Sequence, residues 1–468
     1  MNDLSNKSVK AWVLALASVA SFMAALDALV VTTALGTIRV DLGASIEALQ
    51  WTVNAYNLSF AVLLLTGAAL GDRFGRRRMF AAGLALFVAA SAACALAGDV
   101  ISLIAARAVQ GAGSALVMPL AMALLSAAFP PAERAKALGI FSGVTGLALI
   151  AGPVVGGAVV DGLAWQWIFW INLPIGLVVI PLVLRKIPES FGPAARVDVG
   201  GLVLVTGAAL AIAWGLMRGN TVGWTAPEIL AALAIGCGLA IGFVIWELRA
   251  AAPMVPMHFF RARAFSSGVA ASFLFYAAMY GVVFFLPQFF QTAQGFDPFG
   301  AALQLLPWTA TLFVFAPIAG SLVNRVGERP LVVVGLLMQA LGLAWIGMIV
   351  APDVAYTKLV APLILAGAGV SMAMPAAQNS VFGAVAASEI GKASGTFNMA
   401  RFLGGVFGIA LVGAAFAALG GVGSPQAFSR GFAWAITVSA TLSLAAAAVA
   451  LALPGRRALA VAAARTNS

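Results

Sequence analysis

Charge is what this sequence lacks. Of its 468 residues only 9% are Asp, Glu, Lys or Arg, while 62% are hydrophobic and the mean hydropathy is +1.04. A soluble domain carries about a quarter charged residues, so a water-soluble globule is excluded. Histidine occurs once, at His258, in a segment read as a loop, and this excludes a multi-histidine metal centre or a histidine relay. The two cysteines, Cys94 and Cys237, both fall inside apolar runs, which argues against a disulfide framework and a metal site. No glycine-rich nucleotide-binding loop appears, so ATP-driven transport is not expected, and neither is any cofactor. Acids are scarce within the apolar runs and histidine is absent from them, which leaves a membrane enzyme without a nucleophile and its base.

Long apolar runs are present throughout. A spanning helix needs about 20 mostly apolar residues, and on that basis the chain offers fourteen, from Ala11–Leu35 to Phe432–Leu453. The first is too long for the apolar region of a signal peptide and is read as an uncleaved helix. The expected class is an all-α polytopic membrane protein in the lipid bilayer.

An even number of spans puts both termini on one side. If that side is cytoplasmic, twenty cations face the cytoplasm: Lys7, Lys10, Lys392, the clusters around Arg76, Arg134, Lys186, Arg196, Arg261 and Arg325, and the tail at Arg456, Arg457 and Arg465. Only Arg39, Arg218, Lys358 and Arg430 face out. That bias follows the positive-inside rule, and it explains the net charge of +10 without nucleic acid. Trp165, Trp167, Trp170 and Trp224 read as an interfacial aromatic belt. The two remaining cations, Arg107 and Arg401, lie within spans.

Short patterns repeat at a nearly fixed offset. Gly111-Ala112-Gly113 with Met118-Pro119 matches Gly367-Ala368-Gly369 with Met374-Pro375, 256 residues on. Asp72-Arg73-Phe74-Gly75 matches Asn324-Arg325-Val326-Gly327 at 252. The chain therefore divides into a short N-terminus (1–10), a six-helix half (11–186), two inserted helices with their loops (187–264), a second half (265–454) and a tail (455–468). Parallel repeats of this kind belong to transporters with a midplane site.

At this point the residues resemble a known family. The loop Gly71-Asp72-Arg73-Phe74-Gly75-Arg76-Arg77 is similar to the signature loop of the major facilitator superfamily. Arg107 with Gln110, Gly111 and Gly113 is similar to its proton-coupling motif. Gly152-Pro153-Val154-Val155-Gly156-Gly157 is similar to its antiporter motif, and Trp165-Gln166-Trp167 with Ile171-Asn172-Leu173-Pro174 resembles the fourteen-spanner drug:proton antiporters. The resemblance implies the major facilitator fold, two parallel six-helix repeats plus two inserted helices, in a bacterial plasma membrane. The pattern departs from the subgroup at Leu29, Thr32 and Gly36 after Asp27, at Ala148, at Gln166 and at Asn324.

Asp27 is the one acid placed well inside a span, where an aspartate costs about 2.5–3.5 kcal/mol on insertion scales and so pairs, protonates or does work. Helical rise puts Arg107 at a similar depth, so contact is expected, with Gln110 near. The resemblance makes these three the proton-coupling group, and Asp72, Arg73, Gly75 and Arg325 a conformational latch. Gly152, Pro153, Gly156 and Gly157, with Gly139 and Gly143, suit close helix packing.

Candidates for lining a cavity in the first half are Phe22, Met23, Asn54, Asn57 and Phe141. In the second they are Tyr276, Tyr280, Gln304, Trp308, Met372, Gln378, Phe397 and Arg401. Such aromatics and methionines suit lipophilic ligands, and one embedded carboxylate suits a monocation or a neutral molecule. The expected function is proton-driven export by a monomeric antiporter that takes its energy from the proton gradient. A dedicated exporter of one antibiotic or metabolite, an importing proton symporter and a non-transporting sensor remain alternatives.

Overall fold

The computed structural model describes residues 2–192, 197–386 and 389–455. Arg196, Arg456, Arg457 and Arg465, with nearly all of the expected tail, lie outside the described residues, as does the side chain of Asn324. Among the described residues there is no strand, and fourteen helices are long and apolar enough to cross a membrane.

The first six are α1 (Lys7–Asp41), α2 (Ile46–Phe74), α3 (Arg76–Ala95), α4 (Val100–Ala128), α5 (Lys136–Gly162) and α6 (Trp167–Lys186). Next come α7 (Val199–Val222) and α8 (Pro227–Arg249). The last six are α9 (Arg263–Ala293), α10 (Pro298–Val323), α11 (Glu328–Ile349), α12 (Tyr356–Phe382), α13 (Ile390–Leu419) and α14 (Pro425–Ala450). Asp99 starts α4 by accepting from the Ile101 and Ser102 amides at 2.9 Å, and Ser424 caps α14 in the same way through Ala427. Such caps satisfy N–H groups that the first turn leaves without a helical acceptor.

The chain forms two compact units. The first holds Met1–Leu210, Gly236–Met254 and Asp297–Leu303; the second holds Ala211–Ile235, Val255–Phe296 and Gln304–Ser468. Inside the first, α4 packs on both α2 and α3, α1 packs on α5, and α3 packs on α6. Inside the second, α12 packs on α10 and α11, α9 on α13, and α11 on α14. Adding eight to each number of the first set gives the second set.

The repeated glycines explain this correspondence. A Cβ on Gly111 would strike the Tyr56 carbonyl of α2, and one on Gly113 would lie 2.6 Å from the Phe87 amide of α3. In the second unit a Cβ on Gly367 would strike the Trp308 carbonyl of α10, and one on Gly369 the Gly335 carbonyl of α11. Each Gly-Ala-Gly therefore lets one helix approach two neighbours at backbone distance. The loops repeat as well: Gly75 has φ 106° and Gly327 φ 85°, conformations that glycine adopts without a side-chain clash.

The tenth span runs in three helical pieces, Pro298–Gln304, Leu306–Thr309 and Thr311–Val326. Two expectations change. Trp165 is not part of an interfacial belt: it is buried, and its indole N–H donates to Asp41 at 2.7 Å, so hydrogen bonding rather than the interface places it. Gly139 and Gly143 have open space where a Cβ would stand, so the close approach on α5 is confined to the Gly152–Gly157 stretch.

Candidate functional site

Asp27 sits midway along α1 and is 2% exposed. Its carboxylate accepts from three side chains on two other helices. Arg107 of α4 donates to Oδ2; Gln110, one turn further on, donates to Oδ1 at 2.8 Å; Asn172 of α6 donates to Oδ1 at 3.1 Å. The Arg107 Nη1 also reaches the Gln110 carbonyl at 2.7 Å, so the glutamine bridges both members of the ion pair. Arg107 and Gln110 have no solvent exposure at all.

A second layer fixes the donors. Arg107 Nε donates to the Thr52 carbonyl at 3.3 Å, and its guanidinium lies 4.3 Å from the Tyr56 ring centroid. The Tyr56 phenol is held at 3.1 Å by the Ala24 carbonyl and at 2.7 Å by Ser114. Asn172 donates also to Ser91 Oγ at 2.9 Å, and Ser91 donates to the Phe169 carbonyl. Asn172 follows a break in α6, whose helical pieces are Trp167–Trp170 and Asn172–Lys186.

Five helices thus converge on one carboxylate. A buried ion pair of this kind is stable only when its spare lone pairs and protons are bonded too; here both carboxylate oxygens and the Arg107 Nε and Nη1 are bonded, while Nη2 is buried without a hydrogen-bond partner. A proton placed on Asp27 would remove the charge that Arg107 faces and leave that arginine to find another partner. The arrangement can therefore couple protonation to movement of α1 against α4 and α6.

The signature loop is built differently. Asp72 is bound by Arg76, Oδ1 to Nε at 2.8 Å and to Nη2 at 2.7 Å, and the Asp72 carbonyl accepts from the Gly192 amide. The carboxylate that meets the N-terminus of α3 is that of Glu189: its Oε1 accepts from the Arg77 amide at 2.8 Å, and Arg77 and Arg78 lie 3.6 Å away. Arg73 and Arg325 are exposed, with Arg73 stacked on Phe74. On α5, a Cβ at Gly152 would meet Leu29 at 2.7 Å and one at Gly156 would strike Thr33, so both glycines seat α5 against α1 beside Pro153. Gly157 faces Pro298 and Phe299.

Among the expected cavity residues, Met23 and Phe141 are packed in the apolar core of the first unit, while Phe22 is half-buried. Asn54 and Asn57 are buried on α2. Gln378 is exposed; Gln304, Trp308 and Met372 are half-buried. Four of the rest come together in the second unit. The Tyr276 ring lies 6.4 Å from both Tyr280 and Phe397, and the Arg401 guanidinium sits 4.7 Å over Tyr276 and 5.2 Å over Phe402.

Sequence reasoning missed Asn172, Ser91, Tyr56 and Glu189 as site residues. Asn172 was visible inside a quoted motif, but nothing in the residue order shows that α6 delivers it to α1.

The family model of the Major Facilitator Superfamily matches residues 17–408 and, a second time, 268–466. The chain belongs to the Major Facilitator Superfamily. This superfamily member is similar to the multidrug resistance protein Stp of Mycobacterium tuberculosis, 35% identical over 402 residues, covering 85% of this chain and 74% of that one. It is equally similar to the tetracenomycin C resistance and export protein of Streptomyces glaucescens, 35% identical over 405 residues with the same coverage. To the methylenomycin A resistance protein of Bacillus subtilis it is 31% identical over 410 residues, covering 87% and 88%. Among solved structures, a POT family transporter in complex with 5-aminolevulinic acid superposes with a TM-score of 0.71 at 16% identity, covering 94% of this chain and 95% of that one. That likeness is one of fold. A membrane transporter, and not an enzyme, is what this superfamily membership makes of the chain.

Proposed function

We propose that this transporter is a proton-driven antiporter of a bacterial plasma membrane that exports lipophilic, drug-like molecules, monocationic or neutral, by alternating access. Its termini face the cytoplasm. The observation that carries the reading is the Asp27 centre: a carboxylate bonded by Arg107, Gln110 and Asn172 inside one half of a transporter fold. Relatives named for multidrug resistance and antibiotic export support the direction.

In this reading Asp27 takes a proton from the outside, and Arg107 is freed from its counter-charge. The halves then exchange access with the Asp72–Gly75 loop and Arg325 as latches, while Gly152 and Gly156 keep α5 close against α1. On the inside Arg107 again favours the ionised Asp27, the proton leaves, and substrate loads. An inward proton gains about 2.3 kcal/mol per 100 mV of inside-negative potential, plus any pH gradient. A monocation leaving against one proton moves no net charge, whereas a neutral substrate lets the potential drive the cycle.

The test is substrate-dependent proton flux in proteoliposomes, wild type against Asp27→Asn, with a panel of lipophilic dyes. Flux lost in the variant while dye binding survives is the expected result. Persistent flux in Asp27→Asn removes that residue from coupling. The second reading, a dedicated exporter of a single antibiotic, is favoured by the relatives named for one compound each.

A further inference from the structure

Only Arg107 and Arg401 were placed within spans by the sequence, and the chain has four tyrosines in all. Three of the four attend these two arginines: Tyr56 stacks under Arg107, while Tyr276 and Tyr280 face Arg401. The two guanidiniums differ in what balances them. Arg107 has Asp27, Gln110 and a backbone carbonyl, with its Nη2 left buried and unbonded. Arg401 has, among the described residues, no carboxylate within ion-pair distance; Tyr280 hydrogen-bonds to it, and its Nε is buried without a hydrogen-bond partner.

Aromatic faces stabilise a cation from above and below, but they leave in-plane N–H groups unfilled, and a guanidinium has five. Simple snorkelling does not account for the placement, because the head group rests on Tyr276, which is 1% exposed. Arg401 lies eleven residues inside α13, roughly 16 Å along its axis. Yet Arg401 itself is partly exposed while Tyr276, Phe397 and Phe402 around it are buried. A partly exposed cation without a counter-charge, on an aromatic floor, is a receptor for a flat molecule that carries an acidic oxygen.

We propose that Arg401 is the substrate-recognition cation of this transporter, and that its substrates are lipophilic aromatic molecules bearing a phenol, enol or carboxylic acid. The acidic oxygen accepts from the exposed side of the guanidinium, and the aromatic body lies beside the cluster of Tyr276, Tyr280 and Phe402. A carboxylate would be held by two parallel N–H donors. This rests on the export reading for the existence of a lipophilic substrate, and it replaces the monocation of that reading with a weak acid or its anion. An uncompensated guanidinium repels a monocation, so the neutral weak acids and their anions remain.

The test is equilibrium binding to the full chain in nanodiscs, read by quenching of its own tryptophan fluorescence. The probes are 1-pyrenecarboxylic acid, its methyl ester and (1-pyrenylmethyl)trimethylammonium. Wild type is expected to bind the acid at least tenfold more tightly than the ester or the cation. Arg401→Met should abolish that preference and leave the ester within twofold of wild type, which also shows that the variant is folded; Arg401→Lys should keep part of it.

The proposal is overturned if the cation binds wild type as tightly as the acid, or if the acid preference survives in Arg401→Met. It is overturned too if Arg401→Met weakens acid and ester alike, since Arg401 would then only hold helices together, or if no probe binds. Binding needs no proton movement, so any of these outcomes leaves the Asp27→Asn flux test standing on its own.

Discussion

Arg107 and Arg401 each lie over a tyrosine ring, and they do opposite things with their charge. Arg107 is sealed, with zero exposure and a carboxylate supplied by the same unit. Arg401 is open on one side and has aromatic rings where Arg107 has Asp27. A charge compensated from within can only be released by protonation or movement, which suits coupling. A charge left uncompensated waits for something from outside the chain, which suits recognition. On the two readings proposed above, energy conversion belongs to the first half and substrate choice to the second.

The sharpest way to break this comparison is to remove each positive charge in turn. Arg107→Met strands Asp27, and removing one partner of a buried ion pair costs about 3–5 kcal/mol. We expect a large fall in thermal stability and in the yield of folded protein. Arg401→Met strands no carboxylate, so its effect should stay within about 1 kcal/mol. Thermal melting of the two variants in the same detergent decides the matter, and equal losses would erase the distinction.

Next in size is the effect on transport itself. Asp27→Asn keeps the shape and an acceptor for Arg107 but cannot cycle a proton, and substrate-driven proton flux should fall at least 100-fold. Acid-probe binding at Arg401 should change by less than threefold. Loss of binding along with flux would mean that the two centres are not separate devices.

The sequence carried one side of this comparison better than the other. Asp27, Arg107 and Gln110 could be paired from their types and depths because a charge in a span must be answered and Asp27 was the only acid at hand. The fourteen spans and the two glycine pairs followed from apolar run length and from a repeat offset, both of which are linear properties. Asn172 could not be found this way, since its role depends on a break in α6 that brings it beside Ser91 and Asp27. Arg401 was visible as a residue in a span, but its aromatic floor comes from α9, more than 120 residues away, and only packing shows that its counter-charge is missing.

The repeat offers a subtler probe. Gly113→Ala and Gly369→Ala each place a methyl group against the backbone of the neighbouring helix, 2.6 Å from the Phe87 amide in one unit and 2.5 Å from the Gln339 amide in the other. Overpacking of this kind costs about 1–3 kcal/mol, and the two variants should agree within about 1 kcal/mol in melting experiments. A much smaller loss in one unit would show that its helices have freedom the other lacks.

The smallest expected effect separates the two copies of the signature loop. After Gly327 the second copy supplies its own acid, Glu328, in the first turn of α11. After Gly75 the first turn of α3 has no acid of its own and carries three arginines, so the negative charge comes from Glu189, 112 residues further along the chain. A carboxylate at a helix N-terminus is worth about 0.3–1 kcal/mol near the surface. Glu328→Gln should lose only that, because the residue belongs to its own helix. Glu189→Gln should lose it together with the ion pairs to Arg77 and Arg78, and should also free the 187–192 segment that Gly192 ties to Asp72. Proteolysis or hydrogen exchange of that segment at low and high salt would show it: opening in Glu189→Gln that wild type shows only at high salt means that electrostatics hold the loop. Equal protection in both proteins would mean that backbone contacts alone are enough, and that the two copies of the loop differ in sequence but not in what secures them.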